Sequence, residues 1–115
     1  VGVIEYYYRK LEKNKEFFSR INDIAKEIEK KAKEIFEDAE VYITGSYARG
    51  EHTLSSDLDI LIVSEEIPEK FTFEWYRDVI FRLTDDLRVN VHLLNRRKLS
   101  KLKKLYSPMI PVSSL

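Results

Sequence analysis

Gly45-Ser46-Tyr47-Ala48-Arg49-Gly50-Glu51-His52-Thr53-Leu54-Ser55-Ser56-Asp57-Leu58-Asp59 is the stretch from which the fold of this 115-residue chain is read. It is entered from Val41-Tyr42-Ile43-Thr44, a β-branched and aromatic run of strand character that meets a glycine. It is left through Ile60-Leu61-Ile62-Val63, a continuous apolar run of the kind that strands buried on both faces display. Two short strands therefore flank a turn at Gly45 and a loop that delivers two carboxylates. The second strand is read over 57–63, with Asp57 and Asp59 at its start. Alternation along a strand sends both to one side, about 6.5–7 Å apart by the rise per residue.

Each part of this segment has a chemical use. Two carboxylates on one side can share a hard cation, and magnesium is commonly held by one or two carboxylates together with substrate phosphates. Gly45 has no Cβ, so the chain can turn sharply and a phosphate can come close. Ser46 supplies a hydroxyl and opens a short helix whose free N–H groups favour an anion. Taken singly, an Asp-x-Asp at a strand start is more often a solvated turn, and a Gly-Ser before a helix is usually a cap. Their combination at this spacing, on two strand ends, makes the functional reading dominant.

Working outward, Phe17, Phe18, Ile21, Ile24, Ala25, Ile28, Ala32, Ile35 and Phe36 recur every three or four residues, which predicts an amphipathic helix. The Tyr6-Tyr7-Tyr8 and Leu11 stretch either extends it or forms a separate helix broken near Asn14. Beyond Pro68, residues Phe73 to Leu83 predict a helix ending near Leu87. Arg88 to Leu94 reads as a third strand, and Asn95 caps a basic helix from Arg96 to about Leu105. Pro108 and Pro111 are read as ending regular structure. This order implies an α+β fold, one sheet packed by helices. The chain is read as one domain, 1–115, with an N-terminal helical segment (1–37) and a core (38–105).

Composition narrows the function. Lys plus Arg equals Asp plus Glu, 20 each, so the overall charge gives no argument for nucleic acid as the partner. There is no cysteine, which excludes a disulfide framework, a thiolate zinc site and a thiol nucleophile. No apolar run approaches the ~20 residues that span a bilayer, and a cytoplasmic location is expected by default.

With these residues in view, the chain resembles the minimal nucleotidyltransferases of the DNA polymerase β superfamily. Their motif is Gly-Ser, ten residues, then Asp-x-Asp, and Gly45, Ser46, Asp57 and Asp59 match it. The resemblance is clearest from Val41 to Val63. It implies a polymerase β-like palm fold with a small mixed sheet. It also implies transfer of a nucleoside monophosphate, here AMP, from ATP or another nucleoside triphosphate to an acceptor. Magnesium is the implied ion, with manganese as an alternative; Gly45 and Ser46 would hold the triphosphate, and Asp57 and Asp59 would ligate the metal. Free-standing domains of this size resemble the antitoxin of toxin–antitoxin pairs, whose partner is a helical HEPN protein.

The resemblance has one departure. Catalytic members carry a third carboxylate on the strand corresponding to 88–94, and aligning Val91-His92-Leu93-Leu94 with their pattern puts His92 there. Three readings of His92 stand open: ligand to a softer ion, general base, or mark of a weakened enzyme acting as a partner-binding module. Arg49 is open between a phosphate partner and an ion pair with Glu51. His52 is read as a solvated loop residue; Tyr6, Tyr7, Tyr8, Trp75 and Tyr76 as packing; and the Arg96–Lys104 basic run as a solvated face or docking surface. Asp85 and Asp86 are expected to stay clear of the site.

Overall fold

The computed structural model describes residues 2–115. Helices α1 (Val3–Ser19) and α2 (Ile21–Ile35) lead into strand β1 (Glu40–Thr44), the short helix α3 (Gly45–Arg49) and strand β2 (Leu58–Val63). Helix α4 (Phe73–Leu83), strand β3 (Val89–Leu94), helix α5 (Arg96–Tyr106), strand β4 (Ile110–Pro111) and a closing 3₁₀ turn (Val112–Ser114) follow. The four strands form one sheet in the order β3-β2-β1-β4. β1 runs antiparallel to β2 and β4, while β2 and β3 are parallel. This is the α+β arrangement expected, a small mixed sheet with helices against it.

One face of the sheet carries Leu58, Ile60 and Ile62 of β2, Val41 and Ile43 of β1, and Val89, Val91 and Leu93 of β3, all buried. Helix α2 lays Ile21, Ala25, Ile28 and Ala32 into the same core, a spacing of four, three and four that keeps them on one stripe. Ala25 and Ala32 are fully buried, and their small side chains leave room for the helix to lie close. Val79 and Leu83 of α4 complete the core. The other face has a smaller cluster, Leu61, Val63 and Leu94, with Tyr42, Leu99, Tyr106 and Met109 against it.

Several boundaries differ from the sequence reading. The break between the first helices falls at Arg20, not near Asn14; Arg20 has left helical geometry (φ −106°, ψ 5°), and its N–H still reaches the Phe17 carbonyl at 3.0 Å. α4 stops at Leu83, four residues short of Leu87. Its last turn gives way to a loop in which the Asp86 carboxylate accepts from the Arg88 N–H at 2.9 Å. β2 begins at Leu58 and β3 at Val89, one residue later than expected in each case. Regular structure continues past Pro108: Ile110 and Pro111 pair with Ile43 and Tyr42 as an edge strand, where a proline's missing N–H costs little.

Tyr6, Tyr7 and Tyr8 were expected to pack, but they are 62–65% exposed; Phe17 is the buried residue of α1. The projecting helix makes the molecule elongated. Its radius of gyration is 15.4 Å, against about 13 Å for a compact chain of this length. Trp75 and Tyr76 do pack against the core. The basic run on α5 is partly neutralised: Arg96 pairs with Asp38 (3.0 Å), Glu40 (3.1 Å) and Glu65 (3.6 Å), and Arg97 with Glu69 (3.7 Å). No helix among the described residues is long and apolar enough to cross a membrane.

Candidate active site

The antiparallel register pairs Thr44 with Asp59, so the end of β1 and the start of β2 lie side by side. At Gly45 the chain turns from strand to helix with φ +69°, in the left-handed region where a side chain is strained. A Cβ built there would collide with Asp59 Oδ2 and approach its Cγ at 3.0 Å and Cβ at 3.1 Å. Glycine is thus required twice, once for its φ and once because the Asp59 carboxylate occupies the space. The short helix α3 ends at Gly50, also left-handed (φ +71°), with Glu51 N–H returning to the Ser46 carbonyl at 2.9 Å.

Alternation puts Asp59 of β2, and Asn90 and His92 of β3, on the face of the smaller cluster. Asp59 is opposite Asn90 and Leu61 opposite His92 in the parallel register. His92 Nε2 lies 3.7 Å from Asp59 Oδ1, adjacent but too long for a direct hydrogen bond. On its far side, His92 Nδ1 is 3.4 Å from the Tyr106 hydroxyl, and the two rings meet edge to face with centroids 5.3 Å apart. Burial pushes the Tyr106 phenol above its ordinary pKa. A cleft of about 540 Å³ opens here, walled by Asp59, Asn90, His92, Phe71, Tyr76, Lys98, Leu102 and Tyr106.

Asp57, one residue ahead of β2, is exposed, while Asp59 is half-buried. Among the described residues no group of three His, Asp or Glu side chains gathers closely enough to hold a metal unaided.

The remaining candidates separate. Ser46 is half-buried beside Gly45 on α3. Arg49 Nε donates to Glu51 Oε2 at 3.0 Å, the ion-pair alternative, although the guanidinium remains 45% exposed. His52 is not simply solvated. Its ring stacks on Tyr47 (4.3 Å, 11°) and sits 5.3 Å from Phe18, because an aromatic neighbour recovers apolar contact that water would not give. Its Nδ1 is buried and has no hydrogen-bond partner among the described residues. Asp85 and Asp86 line a different cleft with Arg20 at the helix break and Asp23, Glu27 and Lys31 of α2, as expected of residues outside the site.

Sequence reasoning missed Tyr106 and Arg88. Tyr106 closes a basic helix with no local sign that it meets His92 fourteen residues earlier. Arg88 reads as an ordinary polar strand start, and its partners are 32–74 residues away.

Comparison with known proteins identifies the family and the fold. A family model described as a nucleotidyltransferase domain matches residues 25–113. The chain is similar to two proteins of Methanocaldococcus jannaschii, each provisionally named a protein adenylyltransferase. One is 38% identical over 76 residues, covering 66% of this chain and 74% of the relative; the other is 31% identical over 81 residues, covering 70% and 91%. Among solved structures, a provisionally assigned nucleotidyltransferase from Sulfolobus solfataricus superposes with a TM-score of 0.64 at 29% identity, covering 85% of this chain and 84% of that one. A second structure with the same provisional assignment gives a TM-score of 0.55 at 26% identity, covering 75% and 94%.

Proposed function

Because this chain belongs to the nucleotidyltransferase domain family, we propose that it acts as a single catalytic domain transferring AMP from ATP to a hydroxyl on a partner protein. The observation that carries the reading is the lock between Gly45 and Asp59. The residue that would let a phosphate approach and the residue that would hold its counter-ion leave no room for a methyl group between them. The contact sets the two residues side by side, as a shared phosphate and metal site would need them. The names of the two archaeal relatives support adenylyl transfer to protein.

In this reading Gly45 and Ser46 bind the triphosphate, and Arg49 exchanges Glu51 for a phosphate oxygen. Asp57 and Asp59 hold magnesium, or manganese, together with those phosphates. The ion would neutralise charge on the phosphates and polarise the reacting phosphorus. The acceptor oxygen bonds to the α-phosphorus, the bond from that phosphorus to the α–β bridging oxygen breaks, and pyrophosphate leaves. His92, held at Nδ1 by the Tyr106 hydroxyl, presents Nε2 beside Asp59 and takes the acceptor's proton. The partner we favour is a HEPN-type protein of a toxin–antitoxin pair.

A second reading has one specific observation behind it. His92 lies 3.7 Å from Asp59 where the resemblance calls for a third carboxylate, which would leave the site one negative charge short. The domain would then be a weakened transferase whose main task is to bind its partner.

Calorimetric titration of ATP with magnesium into the wild type and Asp57→Asn tests the site without knowledge of the acceptor. Metal-dependent binding that weakens about a hundredfold in Asp57→Asn supports the proposal; absence of binding in the wild type with magnesium or manganese defeats it. With the partner present, His92→Asp separates the two readings. A rate raised about tenfold by the added carboxylate marks a working enzyme with a handicapped position. A wild type that binds its partner and transfers nothing favours the binding module.

A further inference from the structure

The loop that presents Asp57 has no regular structure between Gly50 and Leu58, yet side chains hold it from outside: the Tyr47 hydroxyl by one long bond to the Ser56 carbonyl (3.5 Å), and Arg88 by more. The half-buried Arg88 guanidinium donates through Nη2 to the Leu54 carbonyl at 2.9 Å and the Ser56 carbonyl at 2.8 Å. Its Nη1 donates to Asn14 Oδ1 of α1 at 2.7 Å, and its plane lies over the Phe17 ring, 4.2 Å from the centroid. The Arg88 carbonyl in turn accepts from Leu58 N–H at 2.8 Å, so one residue grips the chain on both sides of Asp57.

We infer that Arg88 is the positioning residue for Asp57, and that helix α1 is thereby built into the active site as its outer brace. The chemistry is particular to arginine. Its planar fork addresses two carbonyls and a carboxamide at fixed angles while stacking on an aromatic ring; a lysine ammonium is a point charge that cannot hold all of these together. An Asp57 carboxylate carried on an unbraced loop would have to be ordered when metal and nucleotide bind, at a cost in affinity. The inference rests on the metal-holding reading of Asp57, though the brace itself is measurable without any ligand.

Amide hydrogen exchange and the magnesium dependence of ATP binding test it together. In folded Arg88→Gln, exchange across residues 53–57 should accelerate about tenfold or more, while β2 amides keep their protection. The magnesium concentration for half-maximal ATP binding should rise about tenfold. Arg88→Lys should fall between, and Asn14→Ala, which removes one anchor from a surface helix, should shift both readouts the same way if Arg88→Gln fails to fold. Unchanged exchange at 53–57, or an unchanged magnesium dependence in a variant whose loop has loosened, overturns the inference. A wild type that binds no ATP defeats the transferase proposal instead, and the exchange data then decide the brace alone.

Discussion

The two faces of this sheet are built from the same three strands and do opposite things. On one, Leu58, Ile60, Ile62, Val91 and Leu93 meet α2 and α4 and are shut from water. On the other, α5 covers Leu61, Val63 and Leu94 but stops short of the strand starts, where Asp59, Asn90 and His92 face a cleft. β2 and β3 therefore carry core on every residue of one side and change partway along the other from cleft-facing polar residues to core. The closed face supplies stiffness, and the half-open face spends it on holding Asp59 and His92 3.7 Å apart.

Truncating each face in turn should dissociate these roles, with the largest effect on the closed one. Ile28 of α2 is 1% exposed, and Ile28→Ala removes a branched side chain from the centre of the core. A loss of about 2–5 kcal/mol is expected in urea unfolding. Asp59→Asn, equal in size and half-exposed, should leave the unfolding midpoint within about 0.5 kcal/mol while abolishing metal-dependent ATP binding. If both variants lose stability alike, the open face is structural, and the division drawn here fails.

How much of this was legible follows the same division. The closed face was readable because its signal is periodic: the four-three-four spacing of α2 and the apolar run at 60–63 each declare a buried side. On the open face, the strand-to-helix turn at Gly45 and a carboxylate at the start of β2 were readable because their signals are local, and the Asn95 cap of α5 likewise, its carboxamide accepting from Lys98 N–H at 2.8 Å. What escaped was set by distance in the chain. Nothing near Arg88 signals Asn14, and nothing near His52 signals the Tyr47 and Phe18 rings that shelter it. The edge strand at Ile110–Pro111 was missed because proline normally ends a strand; here it pairs only on one side, at the sheet's margin.

A smaller effect probes the junction between the faces. Gly45→Ala places a methyl group at φ +69° and against the Asp59 carboxylate. The backbone strain costs about 1–2 kcal/mol, and the Asp59 carboxylate must move to make room. Stability should therefore fall modestly while ATP binding falls steeply. A variant that loses stability in the unfolding assay but keeps full affinity for ATP and magnesium would show that the Gly45–Asp59 contact is tight packing without function.

The smallest effect concerns the shut end of the open face, where Asp38 pins the chain before β1 to the end of β2 and the start of α5. Its carboxylate accepts from the Ser64 hydroxyl, from the Glu65 N–H at 3.0 Å and from Arg96 at 3.0 Å. The Ser64 and Glu65 hydrogen bonds, with Arg96 behind them, lower its pKa to about 2 from an ordinary 3.8. A carboxylate depressed on folding contributes stability that is fully present above its ordinary pKa and is lost as pH falls through the folded one. The stability gap between wild type and Asp38→Asn should accordingly be constant down to about pH 4 and close as pH approaches about 2. Because the carboxylate is partly exposed, added salt should narrow the gap. The proposed nucleotide site at the other end of the face should not respond to this substitution; if it does, α5 transmits between the two ends, and the open face is one coupled unit.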